Sequence, residues 1–119
     1  MRTYSKDPLS GSTHGRGILV AGTTSGTATT IHTGSATTTA GLGDFVTVYA
    51  MNNDSVSRIL TLMWGGTSNP DDYIQQVLPA QSGLTLILMD LPIRNGLIVK
   101  AFASSANVIS IHGNVKKIA

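Results

Sequence analysis

Cysteine and glutamate are both absent from the 119 residues. The lack of cysteine excludes disulfides, thiolate metal sites and cysteine nucleophiles. Glutamate is common on exposed helix faces, so its absence argues against a helical protein. Charged residues make up only 12% of the chain, against about 25% in an average domain. These shortages predict a charge-poor β-protein.

Aromatic residues are also scarce, at 5% of the chain, and the net charge is only +2. Proteins that bind nucleic acids usually combine a dense basic face with aromatic side chains, so we expect no nucleic-acid partner. No apolar run approaches the ~18 residues of a membrane helix, and the first residues lack the apolar stretch of a secretory signal. We therefore expect a protein that is made in the cytoplasm and does not associate with membranes.

What the chain does contain is a series of short apolar segments separated by turn residues. Eight strands are predicted, at 17–21, 28–33, 45–51, 58–64, 73–78, 84–89, 97–103 and 108–115. Segments at this spacing are typical of an antiparallel sandwich or barrel. We therefore predict an all-β fold, an antiparallel β-sandwich or jelly roll, with residues 17–119 as its single domain.

Residues 1–16 show no apolar period and contain glycine and proline breakers, which predicts an extended N-terminal arm. The arm holds three basic residues and one aspartate, whereas the basic and acidic residues of 17–119 cancel. We expect it to be disordered until it meets a partner and to attract an acidic surface. Its candidate partner-binding residues are Arg2, Tyr4, Lys6, Leu9 and Arg16.

The segments 84–89 (LTLILM) and 97–103 (LIVKAFA) are apolar on both faces. The outer face of a solitary sandwich is usually polar. We therefore expect these outer faces to pack against other copies, in a homo-oligomer for which a trimer is favoured.

Residues for catalysis or metal binding are sparse. Alternation places Ile31 and Ile111 inside, so His32 and His112 are predicted to point outward. The loop 69–72 contains Asn69, Asp71 and Asp72, which could ligate calcium but lack the spacing of a known calcium loop. No nucleophile or phosphate-binding motif occurs. We expect no enzymatic activity, no cofactor and no structural metal.

Trp64 and Tyr73 could form an aromatic platform for a sugar, as in lectin-like sandwiches. Trp64 is also in phase with Leu60 and Leu62, and a tryptophan in such a position more often belongs to the core.

Three segments carry a resemblance to a known class of protein: FVTVYAMNNDSVSRILTLMWGGTSNPDD, LPAQSGLTLIL and NGLIVKAFASSANVISIHGNV. Together they resemble small structural proteins of tailed-bacteriophage virions, in particular capsid decoration (cement) proteins. The resemblance implies a β-sandwich or jelly roll, frequently a trimer, on the capsid surface of the virion, with the major capsid protein as its partner. A carbohydrate-binding module, or another small tail, fibre or head–tail module, is the alternative.

Overall fold

Two antiparallel β-sheets face each other in the computed structural model, which describes residues 2–119. The strands are β1 (Tyr4–Pro8), β2 (Ile18–Leu19), β3 (Thr29–Thr33), β4 (Gly43–Asn52), β5 (Arg58–Trp64), β6 (Tyr73–Leu78), β7 (Thr85–Ile93), β8 (Ile98–Ala103) and β9 (Ile109–Ile118). A 3₁₀ turn spans Ser25–Thr27.

The first sheet, here called sheet A, has the strand order β1-β9-β4-β7, and β2 also pairs with β9. Sheet B has the order β3-β8-β5-β6. All pairs are antiparallel. The predicted β-sandwich is confirmed, and the predicted bounds of β5 and β6 agree with the structure. The strand order by itself does not define a jelly roll.

The core lies between the sheets and follows the alternation of the strands. Val46, Val48 and Ala50 of β4 are fully buried, as are Leu60 and Leu62 of β5. The alternation of the sequence predicts these inward-facing residues for both strands. Fully burying a valine or leucine side chain contributes about 1.5–3 kcal/mol, so both strands stabilise the contact between the sheets.

The N-terminal segment is part of the sandwich, so the prediction of an arm that stays disordered until it meets a partner is wrong. Residues Tyr4–Pro8 form β1 at the edge of sheet A, with Tyr4 opposite Ile118 and Pro8 opposite Asn114. Leu9, predicted to bind a partner, is only 2% exposed and belongs to the core. The segment pairs through its main chain, and a solvated edge strand needs no apolar alternation. Residue 17 therefore marks no domain boundary.

The prediction that His32 points outward is also wrong. The pairing of β3 with β8 shifts register between Thr30 and His32. Such an irregularity breaks the alternation of side chains between the faces, so Ile31 and His32 are both fully buried. His112 lies on the outer face of sheet A, as predicted, where its ring covers Gly17.

Candidate functional site

Two of the buried polar side chains, those of His32 and Asp44, meet where β3 of sheet B faces β4 of sheet A. The Nε2 atom of His32 lies 2.6 Å from Oδ2 of Asp44, and both side chains are completely buried. The hydroxyl of Ser35 donates to Oδ1 of the same carboxylate at 2.5 Å, and its backbone N–H donates to Oδ2 at 3.2 Å. The backbone N–H of Ser10 donates to Nδ1 of His32 at 3.0 Å. Three segments of the chain meet at this network: the N-terminal segment, β3 with the residues after it, and β4.

The network contains serine, histidine and aspartate, but its connections differ from those of a catalytic triad. Because Ser10 N–H donates to Nδ1, the ring proton lies on Nε2 and is donated to Asp44. Both ring nitrogens are thus engaged, and the Ser35 hydroxyl bonds the carboxylate instead of the imidazole. In a triad the histidine must accept the proton of the serine hydroxyl. This arrangement can hold the two sheets together, and it leaves no ring nitrogen free to act as a base.

Sequence reasoning missed this network. Its hydrogen-bonded pairs are separated by 9 to 22 residues along the chain, and the β3 irregularity reverses the expected direction of His32. The only available signal was an uncommon combination, a histidine and an aspartate within strands of a charge-poor chain.

A cleft of about 550 Å³ opens at one end of the sandwich. Trp64 and Phe45 line it together with Pro92 and Leu97, and Arg94 lies at its wall. The Arg94 guanidinium also donates to the backbone carbonyl of Thr39 at 2.8 Å. Trp64 packs partly against the core, so it is both a core residue and a cleft residue.

Tyr73 does not line this cleft with Trp64. Tyr73 lies opposite Met63 on β5 and therefore on the same face of sheet B as Met63. Trp64 follows Met63 in the strand and points to the other face, because successive strand residues alternate. The Tyr73 ring packs edge-to-face on Phe102, with the centroids 5.8 Å apart. The expected two-residue aromatic platform is therefore not formed, although each ring is partly accessible on its own face.

The other predicted arm residues remain at the surface. Tyr4 is 68% exposed, and Arg2, Lys6 and Arg16 are exposed as well. Lys6 lies directly opposite Lys116 across the β1–β9 pair. Neither lysine has a carboxylate within ion-pair distance among residues 2–119. Like charges at such positions repel each other, and with Asp90 lining the same depression this part of sheet A carries a net positive charge.

Apolar side chains are exposed on the outer faces of both sheets. On sheet A these include Leu86 at 43% and Met89 at 60% exposure. On sheet B, Ile59 and Val77 lie opposite each other and are 44% and 57% exposed. The sequence predicted apolar outer faces for 84–89 and 97–103, and the single chain leaves them uncovered.

Asp54 and Arg58 form an ion pair at the turn between β4 and β5. The Arg58 Nε donates to Oδ2 of Asp54 at 2.6 Å. This hydrogen bond, together with one from the backbone N–H of Ser55, holds the pKa of Asp54 below its usual value. The contribution of this pair to stability is therefore present above the ordinary pKa of aspartate and is lost as the pH falls through the lowered value.

The loop that could bind calcium uses its acidic groups locally. Oδ2 of Asp72 accepts the backbone N–H of Ser68 at 3.0 Å, and the carboxylate lies against Gly66. Within the described part of the chain, no three histidine or acidic side chains come together in a way that could hold a metal ion.

We expect a chelator to leave the melting temperature unchanged, because an ion bound only to the folded state would stabilise it by mass action. Thermal unfolding followed by circular dichroism, with and without EDTA, measures this directly. A fall of many degrees would assign a cation to Asn69, Asp71 and Asp72. The variant Asp71→Asn would then reproduce the fall without chelator.

No protein-family model, curated protein or solved structure matches this chain. Among the described residues, no helix has the length and apolar character needed to cross a membrane. The function has to be inferred from the surfaces described above.

Proposed function

We propose that this protein is a non-enzymatic structural component of a tailed-bacteriophage virion. In this role it acts as a capsid decoration (cement) protein that bridges subunits of the major capsid protein on the capsid surface. It does so as a homo-oligomer, for which a trimer is the arrangement favoured by the sequence. It needs no cofactor.

The observation that carries this proposal is the exposure of apolar side chains on the outer faces of both sheets. A small charge-poor domain with Val77, Ile59, Leu86 and Met89 uncovered gains free energy by burying them against other molecules. Two binding faces are what a bridging protein requires. The buried His32–Asp44 network, with both ring nitrogens engaged, supports a structural role over a catalytic one.

We assign the outer face of sheet A to the capsid shell. Tyr4 contributes an exposed aromatic ring there, and Lys6 and Lys116 contribute unneutralised positive charge. Both lysines line a shallow depression of about 220 Å³ together with Tyr49, Asn114 and one acidic residue, Asp90, so its net charge is positive. An acidic segment of the capsid protein would be steered to this face by long-range attraction, which salt would weaken. Leu9 takes no part, because it lies in the core.

Charge reversal at Lys6 tests this assignment. We expect Lys6→Glu to weaken binding to capsids stripped of decoration protein by about tenfold or more at low salt, since one attractive contact becomes repulsive. Lys100→Glu is the matched control, because Lys100 lies on sheet B and the change in net charge is identical. Quantitative co-sedimentation measures both. Equal losses for the two variants would show that only net charge matters, and unchanged binding of Lys6→Glu would exclude sheet A.

The cleft at Trp64 supports a second candidate, a carbohydrate-binding module of a tail or fibre. Trp64 and Phe45 offer aromatic surface, and Arg94 and Asn95 offer polar groups at the same cleft. This function predicts binding of the purified chain to surface glycans and its loss in Arg94→Ala. Binding of glycans by the wild-type chain, with no affinity for stripped capsids, would favour this candidate over the first.

A further inference from the structure

The open edges of the two sheets differ in how they are protected against pairing with another strand. An exposed edge offers unpaired N–H and C=O groups, and proteins protect such edges with charges, prolines, bulges or covering segments. Edge strand β1 contains Lys6, Asp7 and Pro8 within five residues. Edge strand β7 contains Asp90, which has a positive φ, and Pro92, and its pairing with β4 shifts register twice.

The β3 edge of sheet B is covered by the chain itself. Gly11 N–H donates to the carbonyl of Ile31 at 2.8 Å. The Ser10 hydroxyl accepts the N–H of Thr33 at 2.7 Å. This N-terminal segment occupies the positions that an incoming strand would need.

Strand β6 is the opposite edge of sheet B, and it has none of these protections. Its sequence, YIQQVL, contains no charge and no proline, and its pairing with β5 is regular along all six residues. Within residues 2–119 no other strand pairs with it. Gln75, Gln76 and Val77 are exposed.

The register identifies which main-chain groups of β6 face outward. Trp64 N–H donates to the carbonyl of Asp72 at 2.7 Å, so this pair is a hydrogen-bonded one. Hydrogen-bonded pairs alternate along an antiparallel ladder. Ile74, Gln76 and Leu78 therefore direct their N–H and C=O groups to β5, whereas Tyr73, Gln75 and Val77 direct theirs to the open edge.

Two of these outward groups already have partners. Tyr73 N–H donates to the carbonyl of Pro70 at 3.0 Å, and the carbonyl of Val77 accepts Nε2 of Gln76 at 3.1 Å. The groups of the open edge without a partner in the described chain are the N–H and C=O of Gln75, the N–H of Val77 and the C=O of Tyr73.

We propose that β6 pairs antiparallel with β6 of a second copy, with Gln75 on the two-fold axis. Each Gln75 then donates its N–H to the carbonyl of the other Gln75, and each Val77 N–H donates to the carbonyl of the other copy's Tyr73. These bonds use every free group named above. The remaining position of this ladder would join Tyr73 N–H to the Val77 carbonyl, the two groups that are already satisfied. The open edge is thus complementary to itself.

The side chains fit the same register. On the outer face, Tyr73 of one copy would lie opposite Val77 of the other, and aromatic residues pair favourably with β-branched ones across strands. Asp71 and Asp72 precede the strand, so an antiparallel arrangement places the acidic pairs of the two copies at opposite ends of the contact. Sheet B becomes a continuous eight-stranded sheet. This contact has two-fold symmetry and is separate from the outer-face contacts on which the trimer rests.

A proline substitution at Gln75 tests the pairing without disturbing the fold. The Gln75 N–H points away from β5, and proline is tolerated on an edge strand where the N–H faces solvent. Gln75→Pro removes both bonds on the axis, so we expect the dissociation constant of the dimer to rise by at least about tenfold. Gln75→Thr is the matched control. It also loses the side-chain bond to Oγ1 of Thr61, but it keeps the N–H.

Light scattering gives the mass, and amide hydrogen exchange identifies the contact. We expect light scattering to show pairs of the 12.4 kDa chain for both the wild type and Gln75→Thr. The Val77 amide should be protected from hydrogen exchange in both proteins, and the Gln75 amide should be protected in the wild type. In Gln75→Pro the Val77 amide should exchange rapidly, while the Ile74 and Gln76 amides stay protected by β5. A wild-type monomer at about 0.1 mM, where micromolar contacts are populated, would overturn the proposal. An oligomer in which the Val77 amide exchanges freely would overturn it too, because the copies would then meet elsewhere.

Discussion

Replacing Asp44 by alanine is expected to destabilise the protein by about 2–5 kcal/mol, because each buried donor that loses its acceptor costs about 1–3 kcal/mol. The carboxylate accepts bonds from His32 and from two groups of Ser35. Without it these donors remain buried and unsatisfied. For a domain of this size, the melting temperature should fall by about 10–20 °C.

Asp54→Asn is the control for this prediction, because it removes one carboxylate of an ion pair from a more exposed site. Exposed pairs contribute little to stability, so we expect its melting temperature to stay close to that of the wild type. Differential scanning calorimetry at neutral pH compares the two variants. Equal and small shifts would show that the His32–Asp44 network does not hold the sheets together.

Truncating Leu9 to alanine should cost about 2–5 kcal/mol, the range for leucine in a packed core. Leu9 is 2% exposed, and its side chain lies over Gly113 of β9. Removal of residues 1–16 should be more damaging, since it deletes β1, Leu9 and the Ser10 bond to His32 together. Removal of a disordered arm, by contrast, would leave the stability of the sandwich unchanged.

The control here is Tyr4→Ala in β1, the strand that precedes Leu9. Tyr4 is 68% exposed, so its loss should change stability little while removing a proposed contact with the shell. Urea unfolding gives both free energies. If Leu9→Ala unfolds at the same urea concentration as Tyr4→Ala, the N-terminal segment contributes little to the core.

The strands with regular alternation could be predicted from the sequence, because burial on one face fixes which residues are apolar. This holds for β4 and for β5, where Leu60, Leu62 and Trp64 share the inward face. It fails for β1, since an edge strand held by main-chain bonds leaves no apolar pattern. It fails for His32 because the β3 irregularity reverses the parity on which the prediction depended.

The candidate surfaces depend on the order of the strands in each sheet, which local sequence patterns do not reveal. The segment YIQQVL is predicted as a strand from its local sequence. Its position at an open edge follows from the pairing of β5 with both β6 and β8. The separation of Trp64 from Tyr73 onto opposite faces likewise follows from the β5–β6 register. Long-range pairing, not local pattern, decides which side chains meet and which main-chain groups stay open.

Cryo-electron microscopy of purified virions is the most direct test of the proposed role on the capsid. We expect the sandwich on the outer surface of the head at regular lattice positions, with Tyr4 and Lys6 of sheet A facing the major capsid protein. Absence of the chain from purified particles, or its presence only on the tail, would contradict that role.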